Sequence, residues 1–126
     1  MNGEVLSKIV QIIVFVAIVI SEFYLSHQNG NDSGAASKAL STRIHISEKM
    51  LRTDAHIGFF AVMTVLASLV CRVMIVAVAV WAVMDEVTKP LLKNGRHCSG
   101  VDIRWNLIGV AVGFCAWTNA MYCVKP

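Results

Sequence analysis

The sequence has few charged residues, and long stretches of it contain none. Charged side chains make up 15% of the 126 residues, whereas an ordinary soluble domain carries roughly 25%. Only two prolines are present, so little interrupts the apolar runs. Because the deficit of charge is concentrated in these runs, the pattern predicts an integral membrane protein rather than a soluble one.

The sequence also lacks the motifs of metal, nucleic-acid and catalytic sites. Zinc sites usually have a CxxC pair or a Cys/His cluster in their sequence. Neither occurs among the four cysteines, Cys71, Cys98, Cys115 and Cys123. No basic run alternates with aromatic residues, and no nucleophile lies in a recognisable turn motif. We therefore expect no enzyme, no metal or other cofactor and no nucleic-acid partner, and leave disulfide pairing open.

Three apolar segments are long enough to cross a membrane, at 5–25, 57–84 and 105–124. A hydrocarbon core of about 30 Å needs roughly 20 helical residues, and in lipid a helix satisfies its own backbone groups. We predict a single all-α membrane domain with three transmembrane helices and connections at 26–56 and 85–104. Two spans with one peripheral helix are the alternative.

The segment at 5–25 could instead be a secretory signal peptide, but its thin positive region and long apolar run favour a retained anchor. The first connection begins as a flexible polar stretch and becomes amphipathic over 37–57. Such a stretch either lies in the membrane interface or continues into the second span as one rod.

Charge leaves the orientation of this three-span arrangement undecided, because each side carries five basic residues. The amino terminus and second connection hold Lys8, Lys89, Lys93, Arg96 and Arg104, and the opposite side holds Lys38, Arg43, Lys49, Arg52 and Lys125.

Aromatic residues predict two interfacial belts, because amphipathic rings prefer the membrane interface. Trp81 and Trp105 flank the second connection and are expected at one interface. Tyr24 and Tyr122 are expected at the other interface, together with Phe23, Phe59 and Phe60.

The third segment carries a GxxxG pair at Gly109 and Gly113, and further small residues follow at Ala116 and Ala120. Small residues allow a second helix to approach closely in lipid. We expect this face to contact another helix, in this chain or in a neighbouring one.

Arg72 interrupts the second segment, where a guanidinium costs about 2.5 to 3.5 kcal/mol on insertion scales. Its side chain is expected to lean towards the start of its helix, on the side where Glu22 ends the first segment. We predict an intramembrane polar pair of Arg72 and Glu22. Pairing with a partner subunit or a lipid headgroup, and a role in a water path or ligand site, are the alternatives.

Other titratable residues are expected to be structural. His27 and His56 fall near one membrane face, and no histidine lies at a buried depth suited to haem. Asp85 and Glu86 are interpreted as solvated interfacial charges.

A limited resemblance involves IGFFA at 57–61 and Trp81, followed eight residues later by Lys89-Pro90-Leu91. These residues resemble the small membrane-anchor subunit of succinate dehydrogenase. The resemblance implies three spans and a haem-ligating histidine in the second. This sequence has Arg72 in that segment and no histidine.

The preferred prediction is a small noncatalytic, multi-pass membrane subunit that packs into a larger assembly, in contact with lipid and other subunits. The first alternative is a self-assembling membrane protein, either a holin-like pore former or a pilin-type subunit. A succinate dehydrogenase-like anchor is the second alternative. The sequence does not identify the membrane.

Overall fold

The structure, a computed structural model, describes residues 2–28, 30–92 and 96–124. Over these ranges the chain is helical and contains no strand, which confirms the all-α prediction. The helices are α1 (Gly3–Ser26), α2 (Gly30–Ile44), α3 (Glu48–Val70), α4 (Met74–Thr88) and α5 (Gly100–Val124), and a 3₁₀ turn (Lys89–Leu92) follows α4.

Three of these helices, α1, α3 and α5, are long and apolar enough to cross a membrane. They contain 24, 23 and 25 residues. Their length and composition indicate a membrane protein with three candidate spans, as expected. Helix α4 is equally apolar but has only 15 residues, fewer than the roughly 20 that a complete crossing needs.

The predicted single helix over 57–84 is corrected to two helices. Helix α3 ends at Val70, the backbone of Cys71 is extended (φ −162°, ψ 131°), and α4 begins three residues later. Near the end of α3, the hydroxyls of Thr64 and Ser68 each donate to the carbonyl four residues back, at 2.8 and 2.6 Å. Such bonds compete with the helical ladder and bend helices.

The break also keeps the charge of Arg72 out of the middle of a long apolar helix. It places Arg72 in an exposed turn between α3 and α4, whereas a continuous helix would hold the guanidinium at depth. The turn contains neither glycine nor proline, so no conventional helix-breaking residue marks it.

The amphipathic stretch at 37–57 belongs to two helices. Helix α2 ends at Ile44, and His45 has a left-handed backbone (φ 55°). The Ser47 hydroxyl then accepts a hydrogen bond from the Met50 amide at 3.2 Å and caps α3. The second half of the stretch therefore continues into α3, and the first half forms a separate helix.

Contacts between helix ends define the topology. The Ser26 hydroxyl donates to Asp85 at 2.9 Å, and the His56 and Asn106 side chains are 2.7 Å apart. The end of α1, the start of α3, the end of α4 and the start of α5 therefore meet at one end of the bundle. We call this the connection end, and the opposite end, with the start of α1 and the end of α5, the terminal end. Consequently α3 and α5 run parallel.

The predicted small-residue contact forms between α5 and α3. A Cβ added at Gly109 would lie 2.5 Å from the Ile57 carbonyl oxygen, and one at Gly113 would lie 2.8 Å from Thr64 Cβ and meet the Ala61 carbonyl. These distances are shorter than normal contacts, so only glycine permits this approach of the two helices. Ala116 and Ala120 are exposed and take no part in it.

Replacing Gly113 with alanine should destabilise the bundle, because one methyl group overpacks the α3–α5 contact. We expect a loss of about 1 to 3 kcal/mol, measured by thermal or denaturant unfolding in detergent micelles. Gly58→Ala is the matched control. Its Cβ would meet nothing within 4 Å, and alanine favours helix over glycine, so stability should stay equal or rise. Equal losses in both variants would contradict the close contact.

Candidate functional site

The connection end contains buried polar side chains contributed by four helices. Glu22, Asp85, Glu86, Lys89 and Asn106 are each at most 4% exposed. We call these five residues, together with Ser26, His27, His56, Trp81 and Asp102, the polar cluster. The prediction that Asp85 and Glu86 are solvated is therefore wrong, since both are 0% exposed.

The end of α4 brings two carboxylates to one ammonium group. Helical spacing puts Asp85 and Glu86 four and three residues before Lys89, whose ammonium contacts Glu86 Oε1 and lies 3.4 Å from Asp85 Oδ2. A buried ion pair is tolerated only when further hydrogen bonds satisfy it. Ser26 supplies one to Asp85 at 2.9 Å, and the Ser99 amide approaches Glu86 Oε2 at 3.4 Å.

Glu22 is held by an aromatic side chain. Its Oε2 accepts a hydrogen bond of 3.0 Å from the Trp81 indole nitrogen, which joins α1 to α4. The Phe23 ring lies 5.9 Å from that of Trp81 and stacks on His27 at 4.1 Å. These aromatic rings cover the contact between the two helices.

His27 links the end of α1 to the end of α4. Its Nε2 is 2.9 Å from the Thr88 hydroxyl, its Nδ1 is 2.9 Å from the Phe23 carbonyl oxygen, and the same Nδ1 is 3.7 Å from Asp85 Oδ1. His27 and His56 share the connection end, as expected, but they contact different helices.

Asn106 joins three helices and orients His56. Its Nδ2 donates to the Ala82 carbonyl at 3.0 Å, so its Oδ1 faces His56 Nδ1 at 2.7 Å. Because that oxygen only accepts, Nδ1 must carry the proton. The other ring nitrogen of His56 is 3.9 Å from Asp102 Oδ2.

A cleft of about 290 Å³ lies beside the polar cluster, with α2 forming part of its wall. Its surface is mainly apolar and carries a few charged groups. The apolar lining includes Leu25, Leu40, Leu51 and Phe59, and the polar lining includes Glu22, Arg52, His56, Lys89 and Arg96.

The structure does not bring Arg72 and Glu22 together. Arg72 lies at the terminal end, where its guanidinium carbon is 5.1 Å from the centre of the Trp117 ring, while Glu22 lies at the connection end. The predicted pair treated residue 72 as part of a continuous helix. Since the chain turns at that residue, the two side chains occupy opposite ends. No ion pair includes Arg72 within residues 2–28, 30–92 and 96–124.

The break also redistributes the predicted aromatic belts. Trp81, Trp105 and Tyr24 all lie on helix segments at the connection end, and Tyr122 lies at the terminal end. Phe60, one of the three phenylalanines expected at an interface, is 0% exposed and belongs to the core. All four cysteines are free and exposed.

Comparison with protein-family models, curated proteins and solved structures gives no match. The polar cluster therefore has to be interpreted from its own geometry. The sequence signal that would have identified it is the i, i+3 and i, i+4 spacing of Glu86 and Asp85 with Lys89.

Lys89→Met should destabilise the protein strongly, because it removes the buried ammonium shared by Asp85 and Glu86. Removing one partner of a buried ion pair costs about 3 to 5 kcal/mol, measurable by unfolding in detergent. Adding Glu86→Gln should restore part of the loss, and Lys38→Met, at an exposed site on α2, should leave stability unchanged. The absence of any recovery in the double variant would contradict the proposed charge compensation.

Proposed function

We propose that this chain is a small noncatalytic, multi-pass membrane subunit that packs against other helices in a larger membrane assembly. The observation that carries this proposal is an uncovered small-residue face on α5. At about 100° per residue, Ala116 and Ala120 share the face of Gly109 and Gly113. Helix α3 occupies that face at the glycines, but both alanines are exposed.

This open face has the character of a helix-packing surface. In lipid, association depends on close packing because the apolar environment provides no hydrophobic drive, and small residues supply the necessary proximity. Ala116 and Ala120 follow the glycine contact with α3 and are exposed, so a helix from another chain could pack against this part of α5.

The position of Arg72 also supports a neighbouring subunit or a lipid headgroup at the terminal end. The charge of Arg72 is exposed and has no ion-pair partner among the described residues, although its guanidinium lies over Trp117. Charged groups in a membrane usually pair with one another or reach the headgroups. An acidic residue of a neighbouring subunit, or a lipid phosphate, would complete the environment of Arg72.

The surface of α1 supports lipid contact. Only 6% of its most apolar window is buried. Its large aliphatic side chains outside the bundle contact are between 40% and 62% exposed, and they include Val5, Leu6, Ile9, Val10, Ile12, Ile13, Val14, Val16 and Ile20. A continuous apolar surface of this extent matches hydrocarbon better than water.

The revised topology also gives an orientation. Of the described basic residues, seven lie at the connection end and only Lys8 and Arg72 lie towards the terminal end; Lys93 and Lys125 are outside the described residues. The positive-inside rule then predicts that the connection end faces the cytoplasm. The seven are Lys38, Arg43, Lys49, Arg52, Lys89, Arg96 and Arg104.

Side-specific labelling tests this topology. Single-cysteine variants that retain Cys98 or Cys123, each with an amino-terminal tag, would be treated with a membrane-impermeant thiol reagent in sealed cells. We expect Cys123 and the tag to be accessible outside and Cys98 only after lysis. A continuous second span would instead put the tag and Cys98 on the same side, so that outcome would overturn the four-helix arrangement.

Bulky substitutions on the open face test the assembly. Ala116→Leu combined with Ala120→Leu should dissociate the complex, measured by native mass after extraction in mild detergent. Ala111→Leu is the control, since Ala111 is exposed on the side of α5 away from Gly109 and should leave the complex intact.

The composition of the intact complex separates the remaining alternatives. Different co-purifying chains that are lost in the double variant support the proposed subunit, and a complex of this chain alone favours the self-assembling alternative. A lone 13.8 kDa chain in mild detergent contradicts both. A visible absorbance spectrum of the same sample tests the haem that the succinate dehydrogenase-like alternative requires.

A further inference from the structure

We propose that His56, Glu86 and Asp102 bind a divalent first-row transition-metal ion such as Zn²⁺. The three residues come from α3, α4 and α5. Each offers one ligand atom, and these three atoms all lie within 4.8 Å of one another. This site is at the connection end, and it does not depend on the helix-packing face of the proposed function.

The hydrogen bonding of His56 prepares it as a ligand. Asn106 fixes the proton on Nδ1, because Asn106 Oδ1 can only accept and its amide nitrogen is engaged by the Ala82 carbonyl. In the neutral imidazole, Nε2 then carries a lone pair, and that atom is the one 3.9 Å from Asp102 Oδ2. An orienting hydrogen bond on the second ring nitrogen is the usual arrangement for metal-binding histidines.

A lone pair that lies beside two carboxylates is a favourable place for a cation. Three acceptors at this distance repel one another, and Glu86 and Asp102 both carry negative charge when ionised. Lys89 contacts Glu86 on Oε1, but it is also shared with Asp85. The polar cluster holds a fourth carboxylate, Glu22, so the acids outnumber its lysine. Arg52 and Arg96 line the neighbouring cleft, and a divalent ion would add positive charge directly between the three ligand atoms.

The distances are compatible with coordination after small side-chain adjustments. Zinc binds imidazole nitrogen at about 2.0 to 2.1 Å and carboxylate oxygen at about 2.0 to 2.2 Å, which puts two ligands of one ion roughly 3.3 Å apart. The 3.9 Å separation of His56 and Asp102 exceeds this by about 0.6 Å, and the other separations, which lie within 4.8 Å, would also have to shorten. A donor set of one imidazole and two carboxylates suits zinc and manganese better than softer ions.

The site also has access to water. The side chains of His56 and Asp102 are 13% and 23% exposed, and Asp102 lines an open groove whose other charged residues are Glu48, Lys49 and Arg52. Three protein ligands and an exposed fourth position are the arrangement of an open metal site. The groove provides the path by which an ion and its water would enter.

Metal titration of the full-length protein tests this site. The protein would be extracted in mild detergent, stripped with a chelator and titrated with Co²⁺, followed by visible absorbance, and with Zn²⁺, followed by calorimetry. We expect one saturable ion per chain. Asp102→Asn and His56→Gln should each weaken binding more than about 10-fold, since even the loss of an outer-shell partner has an effect of this size.

Two exposed residues serve as controls. Asp54→Asn changes an acid on the same helix as His56, and His97→Gln changes another exposed histidine; both variants should bind the ion as the unaltered protein does. Helical circular dichroism of each metal-free variant checks its fold. If His56→Gln fails to fold, Asp102→Asn decides, because Asp102 is partly exposed at the start of α5.

Several outcomes would overturn the site. No saturable binding would overturn the site outright, and the contact of His56 with Asp102 would then be structural only. Equal affinity in the Asp102→Asn and Asp54→Asn variants would show adventitious surface binding. Equal affinity in His56→Gln and His97→Gln would remove the histidine from the ligand set.

Discussion

The close parallel contact of α3 and α5 is the constraint on which the rest of the bundle depends. Gly109 and Gly113 let the two backbones touch, and this contact sets His56 level with Asn106. Asn106 in turn reaches the Ala82 carbonyl, which fixes the end of α4. The positions of the α4 carboxylates, and through Trp81 the position of α1, follow from that register. A single pair of glycines therefore organises side chains that belong to four helices.

Packing alone does not explain the polar cluster, because burying its charged groups costs free energy. Burying charged groups rarely stabilises a protein relative to apolar side chains of similar size, yet Asp85 and Glu86 are fully enclosed. Each has partners in the chain, and Asp85 Oδ1 alone is buried without a hydrogen-bond partner among the described residues. A bundle that needed only to be stable would place apolar residues there. Four acids and two histidines nevertheless lie together at this end of the bundle.

The sequence predicted the helices that consist of one uninterrupted apolar run better than the run that breaks into α3 and α4. Helices α1 and α5 have single apolar runs, and the GxxxG face of α5 was recognisable, so hydropathy and spacing were sufficient for both. The break at Cys71 was not predictable in this way, because apolar residues flank it on both sides and no glycine or proline marks it. The Arg72–Glu22 pair assumed an unbroken helix and is not formed. Of the aromatic belts, Trp81 and Trp105 stay at one end and Tyr122 at the other, but Tyr24 lies with the two tryptophans. Burial of Asp85 depends on contacts with Ser26 and Lys89, of which the first is 59 residues distant.

Because α4 is short, the bundle is less tall on the side of α4 than on the side of α1 and α5. The 15 residues of α4 extend about 22 Å at 1.5 Å per residue, whereas the hydrocarbon core of a bilayer is about 30 Å thick. The mismatch lies at the start of α4, beside Arg72, and the long helices α1 and α5 do not share it. In a bilayer of that thickness, lipid next to this edge would thin, or water would enter, at a cost of fractions of a kcal/mol per ångström of mismatch. A bilayer around this bundle would therefore be deformed in one leaflet and on one side only.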